Sequence, residues 1–258
     1  MPADAPGIWC PFATHKPIPE AFMQRAIPTR AFIVHSAGGH AELYNWWLSD
    51  QSHGLESTFF ICDDQTGHGF LDGEIVQYIG VGIKADANGE ANAFATSCET
   101  ASSVSASEPW TPAQAASLIR LIDWHATVTP TARKLMSTPT DTGIAWHVQF
   151  GAPGPWTPSR GKVCPGPARI AQLQADIIPA VIERGMHPSS PPPPTPPPEG
   201  PLMALTDAEQ TELLKMTREL HSQWIGTKSD AKPETLRQII KETRVTVGDI
   251  ASGARPKK

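Results

Sequence analysis

The chain lacks several features that would fix its class at once. Its first residues, Met1-Pro2-Ala3-Asp4-Ala5-Pro6-Gly7, contain no basic segment leading into an apolar one. A secretory leader is therefore not expected, and the chain should be made in the cytoplasm and reach any work outside the membrane by another route. No apolar run approaches the roughly 18 residues a transmembrane helix needs. The cysteines number 4, Cys10, Cys62, Cys98 and Cys164, and they are scattered, with no C-x-x-C pair. That spacing argues against a disulfide framework, and Cys10, Cys62 and Cys98 read as small buried thiols. Nor is there a strong charge of either sign: the formal net charge is −5, which gives no reason to invoke nucleic acid.

What the chain has in excess is proline, 27 in 258 residues. Many fall in one run, Pro191 to Pro198, which should adopt polyproline II and act as a semi-rigid spacer. This divides the chain into a catalytic domain at 1–187, a linker at 188–201 and a small domain at 202–258. The first part is acidic and the last slightly basic. In the last part Thr206-Asp207-Ala208-Glu209 is a capping box, opening a helix that carries Leu213, Met216, Leu220 and Trp224. A second helix from Pro233 or Glu234 carries Leu236, Ile239 and Ile240. Two short helices bury little core, so this all-α domain is expected to dock on a partner or to form a homo-oligomer. Met203, just after the linker, could start a shorter product.

Within 1–187 the periodicity alternates between strand and helix. Residues 1–30, with six prolines, read as an irregular arm anchored by Trp9 and Phe12. Strands are expected at Ala31–Val34, Ser57–Cys62, Gly73–Ile79, Ala91–Glu99 and Gly143–Val148, the second and third of these antiparallel neighbours. A short helix is expected over Ala41–Leu48. A longer one opens at Thr111 with Pro112 and Gln114 in its first turn, carries Leu118, Ile119, Leu121, Ile122 and Trp124, and ends near Thr127 to Pro130. The last helix, Arg169–Arg184, contains Pro179 and must kink or split there. The sum is an α/β domain: a mixed central sheet flanked by helices.

Three side chains stand where a core element gives way to a loop. His35 follows Ala31-Phe32-Ile33-Val34, at the strand end from which open α/β sheets present residues to a site. His147 follows Gly143-Ile144-Ala145-Trp146. Cys164 lies in Lys162-Val163-Cys164-Pro165-Gly166, a loop poorly suited to burying a thiol. Two imidazoles and a thiolate are the donor types zinc takes when a fourth position is left for water. The same residues leave a second chemistry open, with Cys164 as nucleophile and His147 as base. His40 and His53 read as surface or cleft-lining residues, His68 as a loop residue, and His125 as a cation at a helix C-terminus. Trp46, Trp47, Trp146 and Trp156 could pack in the core or stack on a sugar ring.

Residues 25–185 resemble the zinc-dependent N-acetylmuramoyl-L-alanine amidases related to peptidoglycan-recognition proteins and found in bacteriophage endolysins. Ile33-Val34-His35-Ser36 is similar to the family's first histidine segment and Gly143-Ile144-Ala145-Trp146-His147 to its second. Lys162-Val163-Cys164-Pro165-Gly166 is similar to its K-x-C-P-G segment. The resemblance implies Zn²⁺ held by His35, His147 and Cys164, Lys162 stabilising the oxyanion, and Glu99 moving the proton. The expected reaction is hydrolysis of the amide between the lactyl group of N-acetylmuramic acid and L-alanine in bacterial peptidoglycan, with release to the wall through a holin pore. There are two departures. Thr96-Ser97-Cys98 stands where Ile-Gly-Ile is usual before the glutamate, and Thr58 stands where some phage members carry an active-site tyrosine. A non-catalytic muropeptide-binding module on the same fold is the alternative from another class.

Overall fold

The computed structural model describes residues 5–49 and 54–187. The linker, the helices expected in 202–258, Met203 and His53 lie outside the described residues. A six-stranded sheet organises the rest, built from β1 (Thr14–His15), β2 (Ala31–Val34), β3 (Phe59–Ile61), β4 (Ile75–Gln77), β5 (Ala95–Thr100) and β6 (Gly143–Trp146) in the order β1-β4-β3-β5-β2-β6. Strands β3, β5, β2 and β6 run parallel, and β4 is antiparallel to β3, as its polar Asp/Gly-rich connection implies. This is the mixed α/β architecture expected.

The four residues of β2 are all buried, which is why the segment reads as a continuous apolar run rather than an alternation. Phe32 and Val34 join Phe59, Ile61, Cys98 and Ile144 on one face of the sheet, under Leu118, Leu121 and Ile122 of α3 (Pro112–Val128) and Ile178 and Val181 of α5 (Ile178–Met186). Ala31, Ile33 and Ala145 pack on the other face with Phe94, Met136 and Trp156. A separate cluster on Phe60, Val76 and Tyr78 is covered by Ile18, Ala21 and Trp47.

Helix α3 begins as its sequence dictates. The Gln114 amide donates to the Thr111 hydroxyl, the Thr111 amide donates to the Gln114 side-chain oxygen, and Pro112 occupies the first turn. The last helix splits in a specific way: α4 (Pro167–Gln172) passes into a π-turn at Leu173–Ile177 and then into α5. Pro179 offers no N–H and its ring crowds the carbonyl four residues earlier, and a widened turn at that place relieves both.

Several expectations need correction. The N-terminal arm is not wholly irregular, since it contributes β1 and α1 (Glu20–Met23), with Ile18 and Ala21 fully buried. Its prolines hid these two short elements. The strand expected from Ala91 begins only at Ala95, after a 3₁₀ turn at Gly89–Ala93, and the early helix is confined to α2 (Tyr44–Trp47). His125 is not an exposed cation at a helix end. It is fully buried, its ring edge-on to Phe32 and its Nε2 2.9 Å from the Thr96 hydroxyl, and burial holds its pKa down at about 3. No helix among the described residues is long and apolar enough to cross a membrane.

The buried His125 gives a stability prediction. The unfolded chain takes up a proton at this residue below its ordinary value of 6.5, whereas the folded chain resists until about 3. Stability must therefore fall as pH drops from 6.5 towards 3. His125→Gln should cost about 1–3 kcal/mol at pH 7 through its lost contacts, and that deficit should shrink steadily by pH 4.5. Urea titrations at both pH values measure it; a deficit that does not change with pH would refute the assignment.

Candidate metal centre

Parallel register brings the site together. Val34 is level with Cys98 on β5 and with Trp146 on β6. His35, Glu99 and His147, each one residue further on, therefore share one level at the C-terminal edge. Alternation along the strands puts them on the face of Ile33 and Ala145, away from α3. The amide of His35 donates to the Cys98 carbonyl and that of His147 to the Val34 carbonyl, so the ladder continues to the functional residues themselves.

The third participant comes from the loop between β6 and α4. Cys164 is buried, contrary to the expectation that a Pro/Gly-flanked thiol would be open. The loop folds inward because Gly166, at φ 108°, lies against Ala106, whose carbonyl oxygen would stand 2.0 Å from a Cβ at that position. The Ser36 amide donates to Cys164 Sγ at 3.2 Å. One donor atom from each of His35, His147 and Cys164 lies within 4.8 Å of the others, and the His35 and His147 rings are 4.4 Å apart between centroids.

The hydrogen bonds decide which ring atoms are available. His35 Nε2 donates to Asn88 Oδ1 at 2.7 Å and His147 Nε2 to the Trp156 carbonyl at 3.2 Å. Both rings thus carry their proton on Nε2 and present the Nδ1 lone pair. His147 Nδ1 is buried with no hydrogen-bond partner, a costly arrangement unless something accepts that lone pair. Burial holds His35 well below its usual pKa, helped by His147, and holds His147 at about 4, helped by the Lys162 charge. Both are neutral at pH 7, as metal ligation requires. Two imidazoles and one sulfur with an inward-facing orphan nitrogen fit zinc and do not suit magnesium or calcium, which take oxygen.

Glu99 stands beside this trio. Its Oε1 is 3.6 Å from His35 Nδ1, its Oε2 is buried without a partner, and burial raises its pKa to about 7 against the opposing pull of Lys162. Lys162 is exposed on the loop, yet its charge acts on His35, His147, Glu99 and Cys164 alike. Burial, and next the Glu99 charge, push the Cys164 thiol up to about 12. A thiol held there beside an imidazole at about 4 keeps its proton, so the pair is not primed as a nucleophile and base. Thr58 is engaged with Ser97: its hydroxyl accepts from the Ser97 amide at 3.4 Å, and its own amide donates to the Ser97 hydroxyl. Trp156 and Trp47 are buried, so neither is placed to stack on a sugar, whereas Trp46 is 42% exposed. His40 is partly exposed and pairs with Asp63 at 2.6 Å.

Sequence reasoning passed over Arg169. This guanidinium is 1% exposed and donates to Thr100 Oγ1 at 2.8 Å, the Ala101 carbonyl at 2.9 Å, the Glu108 carbonyl at 3.2 Å and the Glu108 carboxylate at 3.0 Å. Thr100 in turn donates to the His35 carbonyl at 2.6 Å. Arg169 therefore ties the Cys164 loop to the strand end bearing Glu99 and to the backbone of His35. Its place five residues after Cys164 in the loop-to-helix segment was the available signal.

Comparison with known proteins gives fold-level likenesses only. No family model and no curated protein matches the chain. Among solved structures, it is similar to the N-acetylmuramoyl-L-alanine amidase LysC from Clostridium intestinale URNW at 16% identity and TM-score 0.46, over 64% of this chain and 97% of that one. It is similar to a selenomethionine derivative of AmpD at 18% identity and TM-score 0.45, over 65% and 95%. The corresponding figures for the Drosophila peptidoglycan recognition protein SA are 13% and 0.43, over 60% and 82%.

Replacing Arg169 by Leu removes four hydrogen bonds at once and takes the donor from the Glu108 carbonyl, while the Thr100 hydroxyl keeps its bonds to His35 and Trp110 and the Ala101 carbonyl keeps Gln114. The expected loss of stability is about 3 kcal/mol, read from denaturant midpoints. Glu108→Gln, which alters only a partly exposed carboxylate, should cost well under half of that. Equal costs would show that the exposed ion pair, and not the buried carbonyl bonds, is what Arg169 supplies.

Proposed function

We propose that this chain is a zinc-dependent amide hydrolase acting on peptidoglycan, cutting between the lactyl group of N-acetylmuramic acid and L-alanine. One observation carries the chemistry. Two neutral imidazoles with inward Nδ1 atoms, a buried sulfur and a carboxylate converge at one sheet edge beside a lysine. The substrate comes from the resemblance of the His35, His147 and Lys162-Val163-Cys164-Pro165-Gly166 segments to the amidase family.

His35, His147 and Cys164 would hold the ion. When bound, zinc supplies Lewis acidity, lowering the pKa of a water to about 7 and polarising a carbonyl. The remaining work falls to the chain's own groups. Glu99, level with both histidines and with one carboxylate oxygen unpartnered, takes a proton from the attacking water and returns it to the leaving nitrogen. The Lys162 ammonium, on the loop beside Cys164, hydrogen-bonds the carbonyl oxygen as negative charge gathers on it. Its exposure suits a group that meets solvent until substrate covers it.

The biological setting we propose comes from the same resemblance: a bacteriophage endolysin released through a holin pore, with the residues beyond the linker binding wall or self-associating.

Digestion of purified peptidoglycan followed by mass analysis tests the bond specificity. The expected products are glycan strands without new reducing ends and stem peptides with a free L-alanine amine; new reducing ends would overturn the proposal. EDTA should abolish the activity and zinc restore it, whereas a thiol nucleophile would instead be stopped by alkylation in the presence of chelator. Glu99→Gln should lower kcat by about 10²- to 10⁴-fold and Lys162→Met by about 10²-fold, both with zinc content retained. Cys164→Ser should lose the zinc.

A further inference from the structure

The two histidines do not find their acceptors independently. Asn88 and the Trp156 carbonyl belong to segments far apart in sequence, and the structure clamps them against each other at Gly89. That residue has φ +56°, and a Cβ there would lie 2.5 Å from the Trp156 carbonyl oxygen and 2.8 Å from its carbon. Glu90 N donates to the Pro155 carbonyl at 3.1 Å, fixing the contact from the other side.

Each half is also braced within itself. The Asn88 amide is held by Asn92 Oδ1 at 2.6 Å, and Asn92 Nδ2 reaches Asp86 Oδ1 at 3.4 Å. Asp86 Oδ2 takes a further hydrogen bond from Gln24 at 2.7 Å. Opposite, Gly154 and Thr157 exchange backbone hydrogen bonds of 2.8 and 3.2 Å around Trp156, whose indole is buried and meets Phe150 edge-on at 4.8 Å. Asn88 is wholly buried and its Nδ2 has no partner. An asparagine kept in the interior with half its amide unsatisfied is explained by what its oxygen does for His35.

We infer that the Asn88-Gly89 turn and the Trp156 carbonyl form one positioning platform that fixes both His35 and His147 in the Nε2–H tautomer, so that their Nδ1 atoms face the same point before any ion arrives. This deepens the metal-centre reading and rests on it for its purpose, but the tautomers can be read without metal. Asn88, Gly89 and Trp156 are positioning residues; none of them touches the reacting groups. Gly89 is the vulnerable member, because a single methyl there must push the Trp156 carbonyl off its line to His147.

The test uses the full chain labelled with ¹⁵N-histidine. In the metal-free protein, long-range ¹H–¹⁵N spectra should show Nε2–H for His35 and His147, and competition titration with a chromophoric chelator gives the zinc Kd. Asn88→Leu and Gly89→Ala should each weaken zinc binding by about 10- to 100-fold. Asn88→Leu should change the His35 tautomer and Gly89→Ala the His147 signals, while Asn88→Asp, which keeps an acceptor, should rescue both readouts. Gly67→Ala controls for strain, since Gly67 has φ +72° and nothing within 4 Å of its added Cβ; it should leave Kd unchanged. Nδ1–H tautomers in the parent protein, or variants with unaltered tautomers and Kd, overturn the inference. A parent protein with Nε2–H histidines that binds no zinc overturns the metal reading alone.

Discussion

The parallel alignment of β2 with β5 on one side and β6 on the other is the constraint on which the rest depends. Strand side chains alternate with period 2, so a slip of one residue in either pairing would send a site residue through the sheet into the helix-covered face. What prevents the slip is the apolar complement of that face. Phe32 and Val34 must lie under α3 and α5 with Phe59, Ile61, Cys98 and Ile144. The residues that follow on the opposite face, His35, Glu99 and His147, are set by that packing before any hydrogen bond of their own is formed.

Burial then does electrostatic work. Removing two imidazoles from water makes them reluctant to take up protons, and the neighbouring Lys162 charge adds to the effect. The same burial holds a proton on Cys164 and leaves His147 Nδ1 without a partner. A positive ion among these donors reverses the balance for the thiol and satisfies the stranded lone pair together. These are neutral groups whose burial is unfavourable, and a cation bound among them would relieve it.

The strand-end histidines were legible because a short, wholly apolar strand ending in a polar residue has one sensible reading: the core stops there. Cys164 was legible from its Lys-x-Cys-Pro-Gly setting, although its burial was not, because that depends on Gly166 closing onto Ala106 from a loop about 60 residues away. The long helix announced itself through Thr111, Pro112 and Gln114. In contrast, β1 and α1 are too short to show a period, and prolines on both sides mask them. His125 was misread since its position near a helix C-terminus is local information, while its contact with Thr96 and Phe32 is a fact of tertiary packing. Asn88, Gly89 and Trp156 carry no sequence signal at all for the same reason: their roles lie in one amide oxygen, one missing Cβ and one main-chain carbonyl.

The three donors are not held alike. His35 and His147 are continuations of a hydrogen-bonded ladder and are steadied from below by the Asn88 and Trp156 acceptors. Cys164 stands on a loop, where precision has to come from elsewhere. It comes from Arg169, which grips Thr100, Ala101 and Glu108, and from the Thr100 hydroxyl bond to the His35 carbonyl. The connection makes a closed circuit: Cys164 to Arg169 along the chain, Arg169 to Thr100, Thr100 to His35, and the Ser36 amide back to Cys164 Sγ. A movement of the loop must therefore break buried hydrogen bonds, each worth about 1 kcal/mol or more when a partner is left stranded. Lys162 lies outside this circuit on the exposed side of the same loop, free to follow the charge of whatever enters while the groups beneath it stay in place.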